Sequence, residues 1–181
     1  DHIILIHGLG RTHRSMNSLA KFFKSHGFEV TNLKHPSLKK SIEEIAENQL
    51  HQAIQEIPHT TKIHFVTHSM GGVITRYYLS KHQLPNPGRI VMIAPPNQGS
   101  KWVDTLRDNP FINQSMGPSF LQMGTDSDSL PLNLPEPNIE TGVIAGKFDG
   151  KVSPQNTKLK SMKDFYLAPS AHTFIMNSPK V

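Results

Sequence analysis

The sequence predicts an α/β protein built on a doubly wound, mostly parallel sheet of about six strands. Apolar runs recur at residues 3–6, 28–33, 63–66, 90–94, 142–145 and 165–168, and helical patterns at 15–25, 41–57 and 73–81 fall between the earlier ones. The first run, Ile3-Ile4-Leu5-Ile6, is continuously apolar rather than alternating, as a strand buried on both faces is. The alternation shows no internal repeat, and 181 residues suit a single domain spanning 1–181.

Taken in order, the first run passes directly into His7-Gly8-Leu9-Gly10. Two glycines let a backbone fold close to a ligand without Cβ interference, so the N–H of Leu9 is a candidate oxyanion donor. The plainer alternative is an ordinary glycine-rich strand-to-helix loop. Gly27 closes the first helix. Ser41 with Glu44 forms a capping box at the head of the second, and Pro58 stops it.

The third run, Ile63-His64-Phe65-Val66, leads into Thr67-His68-Ser69-Met70-Gly71-Gly72 and then a helical stretch. Strand, tight turn, helix is the context of a nucleophile elbow, which lifts a serine oxygen above the sheet edge and aims the next backbone N–H at a developing oxyanion. Ser69 is therefore the candidate nucleophile and the Met70 N–H the other candidate donor. The G-x-S-x-G template wants glycine two residues before the serine, where the turn crowds a Cβ. This chain has Thr67, a β-branched residue expected to carry strain.

Serine needs a base, and on such an elbow the partners follow in the order Ser, then Asp or Glu, then His. Of 11 histidines only His82 and His172 come after Ser69. His82 lies at the end of the helix leaving the elbow, too early for a strand and an acid to precede it, which leaves His172. Asp149 is the best-placed acid, because the turn Gly146-Lys147-Phe148-Asp149-Gly150 leaves the C-terminal end of the fifth run, the edge where ligand sites of such sheets gather. Asp164, at the start of its run, is the runner-up, and Asp126 and Asp128 lie in irregular chain.

These motifs, with Ala94-Pro95-Pro96-Asn97-Gln98-Gly99-Ser100, Phe148-Asp149-Gly150-Lys151-Val152-Ser153 and His172-Thr173, resemble the α/β-hydrolase superfamily, and within it small bacterial lipases and esterases. The resemblance runs in order from His7 to His172. It implies a minimal α/β-hydrolase fold, a triad at Ser69, Asp149 and His172, an oxyanion hole at the Leu9 and Met70 amides, and ester hydrolysis without a cofactor. An acyltransferase or thioesterase using the same triad is the enzymatic alternative. A non-catalytic binding protein on a hydrolase fold is the other, since fold does not imply function.

One segment, 100–138, breaks the alternation. Short helices are expected around 102–107 and 112–123, then irregular chain rich in Gly, Pro, Ser and Asp. Long connections in compact domains are usually functional or disordered. The position resembles that of a hydrolase lid, and Trp102, Phe111, Phe120 and Met123, with Met116 and Leu121, are candidates to line an acyl pocket. Completing the core is the alternative use of the same side chains.

A net charge of +5 is compatible with transient contact to an anionic lipid surface. Its lysines and arginines are scattered without interleaved aromatics, which argues against nucleic acid. Nothing approaches the roughly 18 consecutive apolar residues of a membrane span, and no leader is legible ahead of Asp1, so the compartment stays open. His64 and His68 lack the glutamate and helical setting of a zinc motif, so no metal is expected. With no cysteine, disulfides and a cysteine nucleophile are excluded.

Overall fold

A computed structural model describes residues 1–177. The six apolar runs become β1 (His2–Ile6), β2 (Glu29–Asn32), β3 (Ile63–His68), β4 (Pro87–Ile93), β5 (Thr141–Gly146) and β6 (Asp164–Ala168). They form one sheet in the order β2-β1-β3-β4-β5-β6, with every pairing parallel. Because β1 and β3 are neighbours and the chain winds outward from them in opposite directions, the topological switch point lies between them. That is where a crevice forms outside the carboxyl ends of the strands. Ile6 of β1 is level with Thr67 of β3, so the loops at 7–10 and 68–70 leave the sheet side by side.

Side chains of a strand point alternately to the two faces, and both faces are covered. Ile4, Ile6, Phe65 and Met92 point into the larger core under α2 (Ile42–Glu44), α3 (His51–Gln55) and α4 (Met70–Lys81), where they meet Ile42, Ile45, Leu50, Val73 and Ile74. Ile3, Leu5, Val66 and Ile93 point the other way, onto Met16, Ile175 and the apolar stripe of α1 (Asn17–Ser25). Ser41 Oγ accepts from the Glu44 N–H at 3.2 Å, and Glu44 Oε2 accepts from the Ser41 N–H at 3.0 Å, so the capping box forms as expected.

Several boundaries differ from expectation for identifiable reasons. The helix after the elbow starts at Met70 because Ser69 is its N-cap. Between α2 and α3 the helix widens to π-type turns over Ile45–Leu50. β4 starts on Pro87, a first-position proline that owes no ladder donor, and stops before Ala94, whose φ is 48°.

Segment 100–138 forms α5 (Lys101–Leu106), α6 (Pro110–Met116), α7 (Pro118–Leu121) and a fourth short helix, α8 (Leu130–Asn133), that the sequence did not suggest. The expected single helix over 112–123 is broken at Gly117, φ 77°, where any Cβ would run into the Leu38 carbonyl. This segment contributes to the core, with Val103, Phe120 and Met123 all buried. Its far end is pinned by Arg76 of α4, whose Nη2 donates to the Leu134 carbonyl at 2.6 Å and whose Nη1 donates to the Asn97 carbonyl and Oδ1, each at 3.2 Å. Burial lowers the Arg76 pKa to about 10, leaving the group charged at neutral pH with carbonyl dipoles as its partners.

Arg76→Met keeps the aliphatic stem but leaves these acceptors bare. A buried unsatisfied acceptor costs about 1–3 kcal/mol, so thermal unfolding should show a Tm lower by at least about 2 °C. An unchanged Tm would mean that the segment does not depend on this pin.

Candidate active site

Ser69 sits where β3 turns into α4, with φ 51° and ψ −122°. A non-glycine residue there stores about 1–3 kcal/mol of strain, so its surroundings must over-determine it. The Ser69 N–H donates to the Ile93 carbonyl at 2.8 Å, extending the β3–β4 ladder by one residue, and its own carbonyl accepts from the Gly72 N–H at 3.0 Å. Gly71 lies so close to the end of β1 that a Cβ would strike the Ile6 carbonyl.

The strain expected at Thr67 is absent. Thr67 closes β3 as a regular strand residue, and among described non-glycine residues only Ser69 and Ala94 have positive φ. Room for its buried side chain comes from Gly72, whose Cβ would stand 3.4 Å from Thr67 Oγ1 and 3.1 Å from Pro95.

Ser69 Oγ lies 3.0 Å from His172 Nε2, and His172 Nδ1 lies 2.6 Å from Asp149 Oδ2. Since a carboxylate only accepts, Nδ1 carries the proton, and Nε2 is left to accept from the serine hydroxyl. The other Asp149 oxygen, Oδ1, accepts from the N–H groups of Lys151 at 2.8 Å and Val152 at 2.9 Å, which fixes the carboxylate plane. Asp164 begins β6 at the opposite edge of the sheet. The chain thus brings Ser69, His172 and Asp149 together and leaves Asp164 out.

Leu9 lines the same cavity as Ser69, and a Cβ on Gly8 would stand 2.9 Å from Ser69 Cβ. Among the described residues, the backbone N–H groups of Leu9 and Met70 make no hydrogen bond within the chain.

Three buried histidines brace this edge. His68 Nε2 donates to the carbonyl of His172 at 3.1 Å, tying the loop that bears His172 to the residue beside Ser69. His7 and His35 stack at 3.7 Å with 7° between their planes, and His35 Nε2 donates to the His7 carbonyl at 3.2 Å. Burial, reinforced by the neighbouring His172, lowers the His68 pKa to about 3. Burial, followed by the adjacent His7, does the same to His35. No local pattern points to these roles, since each contact joins distant segments.

A cavity of about 300 Å³ opens on Ser69 and His172. Trp102 and Met123 line it, as expected, and Met116 joins them. Phe111 and Phe120 do not. Phe111 is 83% exposed on α6, whereas Phe120 is turned inward, fully buried and edge-on to Trp102 at 5.6 Å. Apolar character marked both, but it does not tell which way a short helix presents its side chains. Sequence reasoning also missed Arg11 and Lys151, which line the cavity too.

The family model described as palmitoyl protein thioesterase matches residues 2–130. No protein of curated function matches in sequence. Among solved structures, the mature Bacillus licheniformis lipase BlEst2 superposes with a TM-score of 0.77 at 18% identity, covering 96% of this chain and 85% of the lipase. The Legionella pneumophila phospholipase PlaB gives 0.73 at 14% identity over 97% of this chain and 55% of its own. A methylesterase from Arabidopsis, MES16, gives 0.67 at 14% identity over 99% and 94%. At such identities the likeness is one of fold, the α/β-hydrolase fold.

The neutral histidines make stability pH-dependent. Unfolded histidine binds a proton near pH 6.5, whereas folded His35 and His68 stay neutral down to about 3. Between these limits the unfolded chain holds more protons, so stability falls as pH drops, by up to about 1.4 kcal/mol per pH unit for each group. Above 6.5 both states are neutral and the effect vanishes. Tm should be nearly level above about pH 7 and decline steadily below 6.5, less steeply in His35→Asn. A wild-type Tm that stays level down to about pH 4, or an unchanged slope in the variant, would contradict the neutral assignment.

Proposed function

The chain belongs to the palmitoyl protein thioesterase family, and from that premise we propose that it is a serine hydrolase cleaving carboxylic esters through an acyl-enzyme on Ser69. The observation that carries this reading is the hydrogen-bonded relay Ser69–His172–Asp149, with spacings of 3.0 and 2.6 Å, opening on a cavity walled in part by Trp102, Met116 and Met123. His172 Nε2 takes the Ser69 proton as Oγ attacks the carbonyl carbon, and Asp149 stabilises the imidazolium that forms. The negative charge developing on the carbonyl oxygen is met by the Leu9 and Met70 amides. His172 then returns the proton to the leaving oxygen. In the second half a water, deprotonated by the same histidine, releases the acid.

The family match favours a second reading, in which the substrate is a thioester. The machinery is the same, but a thiol is far more acidic than an alcohol, near 8.5 for cysteine, and its thiolate leaves with little help from His172, whereas an alkoxide needs its proton.

Kinetics separate the two. Ethyl butyrate and S-ethyl thiobutyrate should both be hydrolysed, and Ser69→Ala should lower kcat on either by about three orders of magnitude or more. Asp149→Asn should cost far more than Asp164→Asn. Equal losses would move the acid's role away from Asp149. Turnover of the thioester alone would replace the ester reading with the thioester one.

At about 300 Å³ the cavity stands at the small end of ligand sites, which favours short to medium acyl chains. In a series of 4-nitrophenyl esters from acetate to palmitate, kcat/KM should peak below the longest chains. Met123→Ala should move that peak to longer ones, because each buried methylene contributes about 0.8 kcal/mol. A profile unmoved in a stably folded variant would mean that the acyl chain lies elsewhere.

A further inference from the structure

Two cations face the cavity at Ser69, and among the described residues no carboxylate side chain lines it. Arg11 and Lys151 are both part of its wall. Their placement follows from the loops that build the site, since Arg11 lies two residues beyond Leu9 and Lys151 two beyond Asp149. Two residues span at most about 7 Å, so the backbone of each cation lies close to a residue of the proposed machinery, Leu9 or Asp149.

Both backbones are held. The Arg11 N–H donates to the Gly8 carbonyl at 3.3 Å, and its carbonyl accepts from Ser37 Oγ at 3.4 Å. Lys151 donates its N–H to Asp149 Oδ1, its carbonyl accepts from Ser100 Oγ at 2.6 Å, and its ammonium lies 4.6 Å from the centre of the Trp102 ring. Among the described residues neither side chain pairs with a carboxylate, unlike Lys40, Arg89 and Arg107, which do. Their charge is felt inside the site, where, after burial and His172, Arg11 and Lys151 add to the forces that keep His68 neutral. Arg11 is half-buried, and Lys151 is exposed at the cavity mouth, where Trp102 orients its ammonium. Two cations without a carboxylate partner, on the wall of a cavity that also carries apolar side chains, suit an anion.

We propose that the substrate carries an anionic group, a carboxylate or a phosphate, a few bonds from its scissile carbonyl. Arg11 and Lys151 bind this group while the acyl chain lies along Trp102, Met116 and Met123. The guanidinium supplies a planar fork matched to either anion, and the ammonium a compact point charge. The inference rests on the hydrolase reading above and adds the chemical class of its substrate. The anion belongs either to the acyl half, as a free second carboxylate, or to the leaving group, and the same cations serve both.

Three chromogenic esters distinguish these sources: 4-nitrophenyl butyrate, which is neutral; the 4-nitrophenyl monoester of adipic acid, anionic in its acyl half; and 3-carboxy-4-nitrophenyl butyrate, anionic in its leaving group. Each rate is divided by that ester's uncatalysed hydrolysis. In wild type at least one anionic ester should exceed the neutral one about tenfold in kcat/KM, the worth of a charge-assisted hydrogen bond. Arg11→Gln and Lys151→Gln should each lower that preference about tenfold, chiefly through KM. Added salt should erode it in wild type. A neutral ester hydrolysed as well as both anionic ones, or a preference unchanged in both variants, would overturn the proposal and leave the hydrolase reading intact. Failure to turn over any of the three, with no phosphonate labelling of Ser69, would overturn the hydrolase reading and this inference with it.

Discussion

The active edge depends on how closely two neighbouring strands deliver their chain ends. β1 and β3 run parallel and level, so the loop leaving one must pass beside the elbow leaving the other. Only a residue without a Cβ fits at Gly8, against Ser69, or at Gly71, against the Ile6 carbonyl. These two contacts hold Ser69 in a backbone conformation it would not adopt alone, and they bring the Leu9 loop alongside it. The strain is local, and the sheet supplies the rigidity that supports it.

The remaining chemistry is hung on that edge by buried polar contacts. Asp149 is fixed by two backbone donors, His172 is held at its ring by Asp149 and at its carbonyl by His68, and the 7–10 loop is held by the stacked pair His7 and His35. Neutral imidazole suits these positions, since it supplies a directed donor without placing a second buried charge beside the base. Segment 100–138 serves both structure and site. Phe120 and Val103 complete the core, while Trp102, Met116 and Met123 reach the cavity.

What was legible in the sequence was what is local. The apolar runs, the capping box at Ser41 and Glu44, and the turn around Ser69 each declare themselves within a few residues. Chain order pointed to His172, and the turn at the C-terminal end of the fifth run to Asp149; both stand beside Ser69 in the fold. The bracing was not legible, because His35 reaches the His7 carbonyl across 28 positions and His68 reaches the His172 carbonyl across 104. Composition marked Phe111 and Phe120 alike as apolar. The break at Gly117, forced by the Leu38 backbone, ends one short helix and begins another, and Phe111 faces solvent while Phe120 faces the core. The template places position 67 in the turn and so predicts a cost for Thr67, whereas the strand runs on through His68 and the turn's strain falls on Ser69.

The central claim is that Ser69 attacks while the Leu9 and Met70 amides receive the oxyanion. A crystal structure of the protein after reaction with a short alkyl phosphonate tests it most directly, because the tetrahedral phosphorus adduct stands in for the intermediate of ester cleavage. The account predicts phosphorus bonded to Ser69 Oγ, with one phosphoryl oxygen about 2.7–3.1 Å from both amide nitrogens. An adduct on another serine, or a phosphoryl oxygen turned away from either amide, would contradict it.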